Sequence, residues 1–71
     1  MRKVTDINKR VGLKIRRLRE QKGWSQEFLA DEADLHRAYI GQIERGEKNI
    51  GLANLEVIAK ALNVSLEKLL K

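Results

Sequence analysis

Residues 26–45 read QEFLADEADLHRAYIGQIER, and no other stretch restricts the fold of this 71-residue chain as tightly. The pattern fits two short helices joined by a three-residue turn. Leu29, Ala30 and Ala33 are the apolar positions of the first helix, Ile40 and Ile43 those of the second, and Leu35 lies in the turn. Two helices that cross steeply must approach closely, so the inner face of the first needs a residue as small as Ala30. The second helix buries one edge through branched residues and leaves the other free. That free edge carries Arg37, Ala38, Tyr39, Gln42 and Arg45. Phosphates and base edges are within the chemical reach of such a set.

The flanking segments read as three further helices. Asp6 or Thr5 caps a first helix in which Ile7, Val11, Ile15 and Leu18 recur at helical spacing. Gly12 interrupts it at a mild cost and suggests close packing against a neighbour. Lys22 and Gly23 form its stop, and Ser25 caps the second helix, although Phe28 replaces the usual capping-box acid. Asp34 falls where a left-handed residue is needed, one of the few non-glycine types that tolerate it. The third helix is expected over about 36–45, with a stop at Gly46. A fourth should place Leu52, Leu55, Ile58, Ala59 and Leu62 on one face and stop at Asn63. Ser65 caps a last short helix carrying Leu66, Leu69 and Leu70. The expected fold class is all-α, one domain over residues 1–71 with five helices.

Composition narrows the partner. The net charge of +5 is unevenly spread: residues 1–23 hold nine Lys/Arg against two acids, residues 24–44 one Arg against five, and residues 45–71 five against three. A basic first helix and a basic second half around an acidic middle suit a polyanion, although a solvated Lys/Arg-rich helix face gives the same count. The chain has no Cys and a single histidine, His36, so no metal site is expected. No apolar run approaches the roughly 18 residues of a membrane span, and the chain reads as soluble and cytoplasmic.

The words IRRLREQKGWSQEFLA, YIGQIERGEKN and LEVIAKALNVSLEKLL resemble the lambda-repressor-like, Cro/repressor-type helix-turn-helix family over roughly residues 10–70. The resemblance implies a five-helix DNA-binding domain with its helix-turn-helix at about 26–45 and helices four and five at about 52–70. Such domains are usually dimeric and read a palindromic operator in double-stranded DNA. Within the family, LHRAYIGQIERGEKN looks like small stand-alone regulators, the controller proteins of restriction–modification systems among them. Two positions depart from the family pattern: Asp34 stands where Gly is favoured, and Ile50-Gly51 where a Pro-Ser pair is common.

The resemblance assigns roles by position. Arg37, Ala38 and Gln42 fall on base-reading positions; Arg suits guanine, Gln suits adenine, and Ala38 can touch only a thymine methyl. Gln26 is expected to touch a phosphate and brace the reading helix, in keeping with the free N–H groups at a helix start. Arg45, Lys48 and Asn49 are candidate backbone contacts. Tyr39 either reaches DNA or packs over the core edge, and His36 either caps the third helix or reaches a phosphate. Trp24 is expected to cover the core edge, and Phe28 is either an exposed aromatic or a subunit contact. Glu44, an acid on a helix facing a polyanion, is expected to pair with Arg19. Helices four and five carry more apolar residues than so small a core buries. Ile50, Val57, Leu66 and Leu70 are therefore candidates for a homodimer contact, unless they face further sequence of a longer protein.

No nucleophile–base pair, carboxylate cluster or phosphate-cradling glycine loop points to an enzyme, and no cofactor is implied. The size leaves little room for an effector pocket, so no small-molecule effector is expected. The competing reading is an antitoxin or another protein-interaction module. RNA is a weaker partner, because no aromatic platform for stacked bases is evident.

Overall fold

The computed structural model describes residues 6–71 as five helices: α1 (Asp6–Gln21), α2 (Gln26–Ala33), α3 (Arg37–Glu44), α4 (Leu52–Leu62) and α5 (Leu66–Leu70). Asp6 is the first helical residue and so a first-turn acid; Thr5 lies outside the described residues. The side chains of Ser25 and Ser65 accept the amides of Phe28 and Lys68 and start α2 and α5. Gly51 starts α4 without a side-chain cap.

The first four helices end in one common way. Gly23, Asp34, Gly46 and Asn63 all take positive φ, between 56° and 75°. The residue after each sends its amide back five positions: Trp24 to Arg19, Leu35 to Ala30, Glu47 to Gln42 and Val64 to Ala59. These are Schellman closures, which satisfy carbonyls left without partners at a helix end. They turn the chain sharply enough to fold five helices around one core.

Val11 and Ile15 of α1, Leu29, Ala30 and Ala33 of α2, Ile40 and Ile43 of α3, Leu55, Ile58, Ala59 and Leu62 of α4 and Leu69 of α5 are buried together. Gly12 lies where α1 meets the end of α3. A Cβ there would stand 2.1 Å from the Ile43 carbonyl oxygen and 3.0 Å from that of Glu44. The glycine therefore lets the two helix backbones touch.

Some residues expected on the buried stripes fall outside them. Leu52 is 70% exposed and Ile7 45%. Both stand in the first turn of their helices, ahead of the first buried residues, Val11 and Leu55. Leu18 is half-buried against the core, as are Trp24, Leu35, Tyr39, Ile50 and Leu66. Trp24 also meets Phe28 edge to face at 4.7 Å, with the Lys22 ammonium 5.1 Å above the indole.

Candidate nucleic-acid interface

Helix α3 is only eight residues long, so its placement depends on what holds its ends. At its start, His36 takes the cap position and its Nδ1 receives the Ala38 amide at 3.4 Å, a weak bond. Ile40 and Ile43 anchor the inner edge. Arg37 and Ala38 are left exposed and Gln42 half-exposed on the outer side. Arg37 Nη1 stands 3.8 Å from Glu27 Oε1 of α2, with both side chains two-thirds exposed.

At the end of α3 the hold is much stronger. Arg19 Nε donates to Glu44 Oε2 at 2.7 Å and Arg19 Nη2 to Glu44 Oε1 at 3.0 Å. Arg19 Nη1 donates to the Trp24 carbonyl at 2.8 Å, which ties the α1–α2 corner into the same network. Gln26 Nε2 donates to Glu44 Oε1 at 2.9 Å, so the first residue of α2 braces the last of α3. The hydrogen bond to Glu44 is the main cause of a raised Arg19 pKa. No buried side-chain nitrogen or oxygen among the described residues lacks a partner.

Beside this network opens a cleft of about 250 Å³, lined by Arg16, Arg19, Gln26, Glu44 and Arg45. Gly41 backs it: a Cβ there would come within 3.2 Å of Arg45 Nη1 and 3.6 Å of Gln26 Oε1. Arg45 Nε and Nη2 donate to Glu47 at 3.0 and 3.2 Å. The same pairing raises the Arg45 pKa and lowers that of Glu47. Lys48 and Asn49 are exposed in the loop that follows. The Asn49 side-chain Oδ1 accepts from Asn8 Nδ2, which ties that loop to α1.

The fold brings Gln26, Arg45 and the Arg19–Glu44 pair to one cleft, and sets Arg37, Ala38 and Gln42 on the adjoining free edge of α3. Tyr39 is half-buried against the core, and its hydroxyl accepts from Asn54 Nδ2 at 3.0 Å. Of the four candidate dimer residues, Ile50 and Leu66 pack on the chain's own core edge, while Val57 and Leu70 are 37% and 38% exposed. Nothing in the sequence alone marks Gly41, Glu47 or Asn54 as a site residue, and Arg16 is not among the candidates named above. Arg16 is legible in hindsight, since it precedes Arg19 by three positions and shares its helix face. Among the described residues no group of three or more His, Asp or Glu is placed to hold a metal. No helix there is long and apolar enough to cross a membrane.

Comparison with known proteins gives this geometry its family. The Helix-turn-helix family model matches residues 15–69. The control protein C.BamHI of Bacillus amyloliquefaciens is 53% identical over 68 residues, covering 94% of this chain and 84% of that protein. The control protein C.SmaI of Serratia marcescens is 46% identical over 65 residues, 92% of this chain and 77% of that protein. The crystal structure of the restriction–modification controller protein C.AhdI from Aeromonas hydrophila superposes with a TM-score of 0.88 at 38% identity, covering 92% of this chain and 98% of that one. The chain belongs to the helix-turn-helix family.

Proposed function

We propose that this protein controls a restriction–modification system by binding, as a homodimer, to a palindromic operator in double-stranded DNA. Family membership makes it a DNA-binding transcriptional regulator. The observation that carries the reading is the free edge of α3. Arg37, Ala38 and Gln42 stand outward there, while Ile40, Ile43 and the Glu44 network fix the helix from behind. A helix held in this way enters the major groove, and a two-fold dimer presents two such helices about one turn of DNA apart. Gln26, Arg45, Lys48 and Asn49 then position the duplex through its phosphates. Likeness to control proteins over nearly the whole chain supports the restriction–modification assignment. The protein acts in the cytoplasm, by occupancy of its site and without chemistry of its own.

Selection from a random double-stranded oligonucleotide pool at about 150 mM salt, where non-specific attraction is weak, tests this reading. The expected product is a palindrome with half-site centres about 10–11 base pairs apart. A folded protein that recovers no motif overturns it in favour of a partner-binding module.

A further inference from the structure

Two arginines of the cleft, Arg16 and Arg45, are held by glutamates that do not line it. Arg16 Nε lies 3.1 Å from Glu20 Oε2, and Arg45 holds both carboxylate oxygens of Glu47. Glu20 also stands 4.0 Å from Arg19 Nη2. More than half of each side chain in these two outer pairs is exposed, so neither pair does much to hold the fold. Their effect is on charge. Three arginines of the cleft meet Glu44 inside it and Glu20 and Glu47 at its rim, so its formal charge cancels. A chain of net charge +5 thus presents a self-neutralised surface where a DNA backbone would lie.

We infer that Glu20 and Glu47 are specificity-determining residues: they compete with DNA phosphate for Arg16 and Arg45, and so suppress binding to the wrong sequence. This rests on the DNA-binding reading above. A phosphate entering the cleft exchanges one guanidinium–carboxylate pair for a guanidinium–phosphate pair, so a loose encounter gains little. Non-specific affinity is almost wholly electrostatic and loses the most. When base contacts from α3 fix the duplex in register, the arginines meet phosphates in the two-pronged geometry that favours them, and the exchange proceeds. Arg16 thereby becomes a further phosphate contact.

The test uses the full chain with Glu20→Gln, Glu47→Gln and the double substitution. Binding to a non-palindromic duplex and to the selected palindrome is followed by fluorescence anisotropy from about 50 to 200 mM salt. Each substitution is expected to tighten non-palindromic binding about two- to five-fold, and the pair about tenfold, with a smaller gain on the palindrome. Glu56→Gln makes the same charge change on α4, outside the cleft, and should leave the ratio of the two affinities at the parent value. Arg16→Gln added to Glu20→Gln should return non-palindromic binding to the parent level. An unchanged affinity ratio in both glutamate variants, or a change matched by Glu56→Gln, overturns the inference while leaving DNA binding intact. A parent chain that selects no palindrome and binds neither duplex removes the DNA-binding reading and this inference with it.

Discussion

Arg19 and Glu44 meet in a two-pronged ion pair although 25 residues of chain separate them, with side chains only 10% and 1% exposed. The pair joins α1 to the end of α3, and under the proposed DNA-binding role it lets an acid stand beside the phosphate-facing cleft. Removing one partner from a buried pair leaves the other charged and poorly solvated. Glu44→Ala is expected to cost about 3 kcal/mol. Arg19 would keep only the Trp24 carbonyl from this network, and Gln26 would lose its acceptor. In a domain of this size the thermal midpoint should fall by more than about 10 °C. A midpoint within about one degree of the parent would show that the pair contributes nothing.

Gly12 sets two effects against each other. Alanine is the better helix former by about 1 kcal/mol. The added methyl, however, would stand 2.1 Å from a backbone oxygen of α3, which cannot swing aside as a side-chain tip can. The clash wins, and Gly12→Ala should destabilise by about 3 kcal/mol net, the upper end of overpacking costs. Urea unfolding checks this; a midpoint at or above the parent's would mean that α1 and α3 separate freely.

How far such features were legible depends on what fixes them. Gly23, Asp34, Gly46 and Asn63 were readable as stops, because few residue types tolerate positive φ. Ser25 and Ser65 were readable as caps for a similarly local reason. Periodicity finds the apolar faces but not where along each face burial stops, which is why Leu52 and Ile7 share those faces yet stand exposed. Gly12 suggested a close neighbour, but naming Ile43 needs the crossing of α1 and α3. The pairing of Arg19 with Glu44 came only through family resemblance. Arg16 could have been found from its spacing to Arg19, but Gly41 beside Arg45 and Gln26, and Asn54 against Tyr39, meet partners on other helices or in the following loop that no spacing within one helix encodes.

Tyr39 separates a packing role from a DNA role. Its hydroxyl is the acceptor for Asn54 Nδ2 and so ties α3 to α4. Tyr39→Phe leaves that amide short of a partner and should cost about 1 kcal/mol of stability. Were bracing its sole duty, DNA affinity measured well below the melting range would be unchanged. If the hydroxyl also reaches the duplex, affinity drops several-fold. Denaturant titration and anisotropy on the same variant read the two roles separately.

The dimer prediction falls on Val57 and Leu70, the two candidates that remain exposed. Across a two-fold axis a residue near the centre faces its own copy. Val57→Lys would bring two unpaired ammonium groups into that contact, and burying even one is unfavourable by several kcal/mol. Dimerisation should weaken by about a hundredfold or more, with little change in the fold because the site is solvated in the monomer. Sedimentation velocity at micromolar concentration checks this. A variant that sediments as the parent dimer does would place the contact elsewhere, and a parent that is monomeric there would count against the homodimer itself.

Base and backbone contacts should differ in what they change, not only in how much. Arg37 and Gln42 stand on the outer edge of α3, and Lys48 in the loop beyond it. A two-pronged arginine or glutamine contact discriminates one base by about 1–3 kcal/mol, whereas a phosphate contact carries no sequence information. Arg37→Ala should therefore relax the selected motif at one symmetric pair of positions, and Gln42→Ala at another. Lys48→Ala should leave the motif intact, weaken all sequences alike and reduce the salt slope by about one. Arg37 starts from a contact with Glu27 at 3.8 Å, too long for a hydrogen bond and looser than the pairs that hold Arg16 and Arg45 at 3.1 and 3.0 Å. An unaltered motif from Arg37→Ala would move base reading off this residue and onto Gln42 or the shape of the DNA.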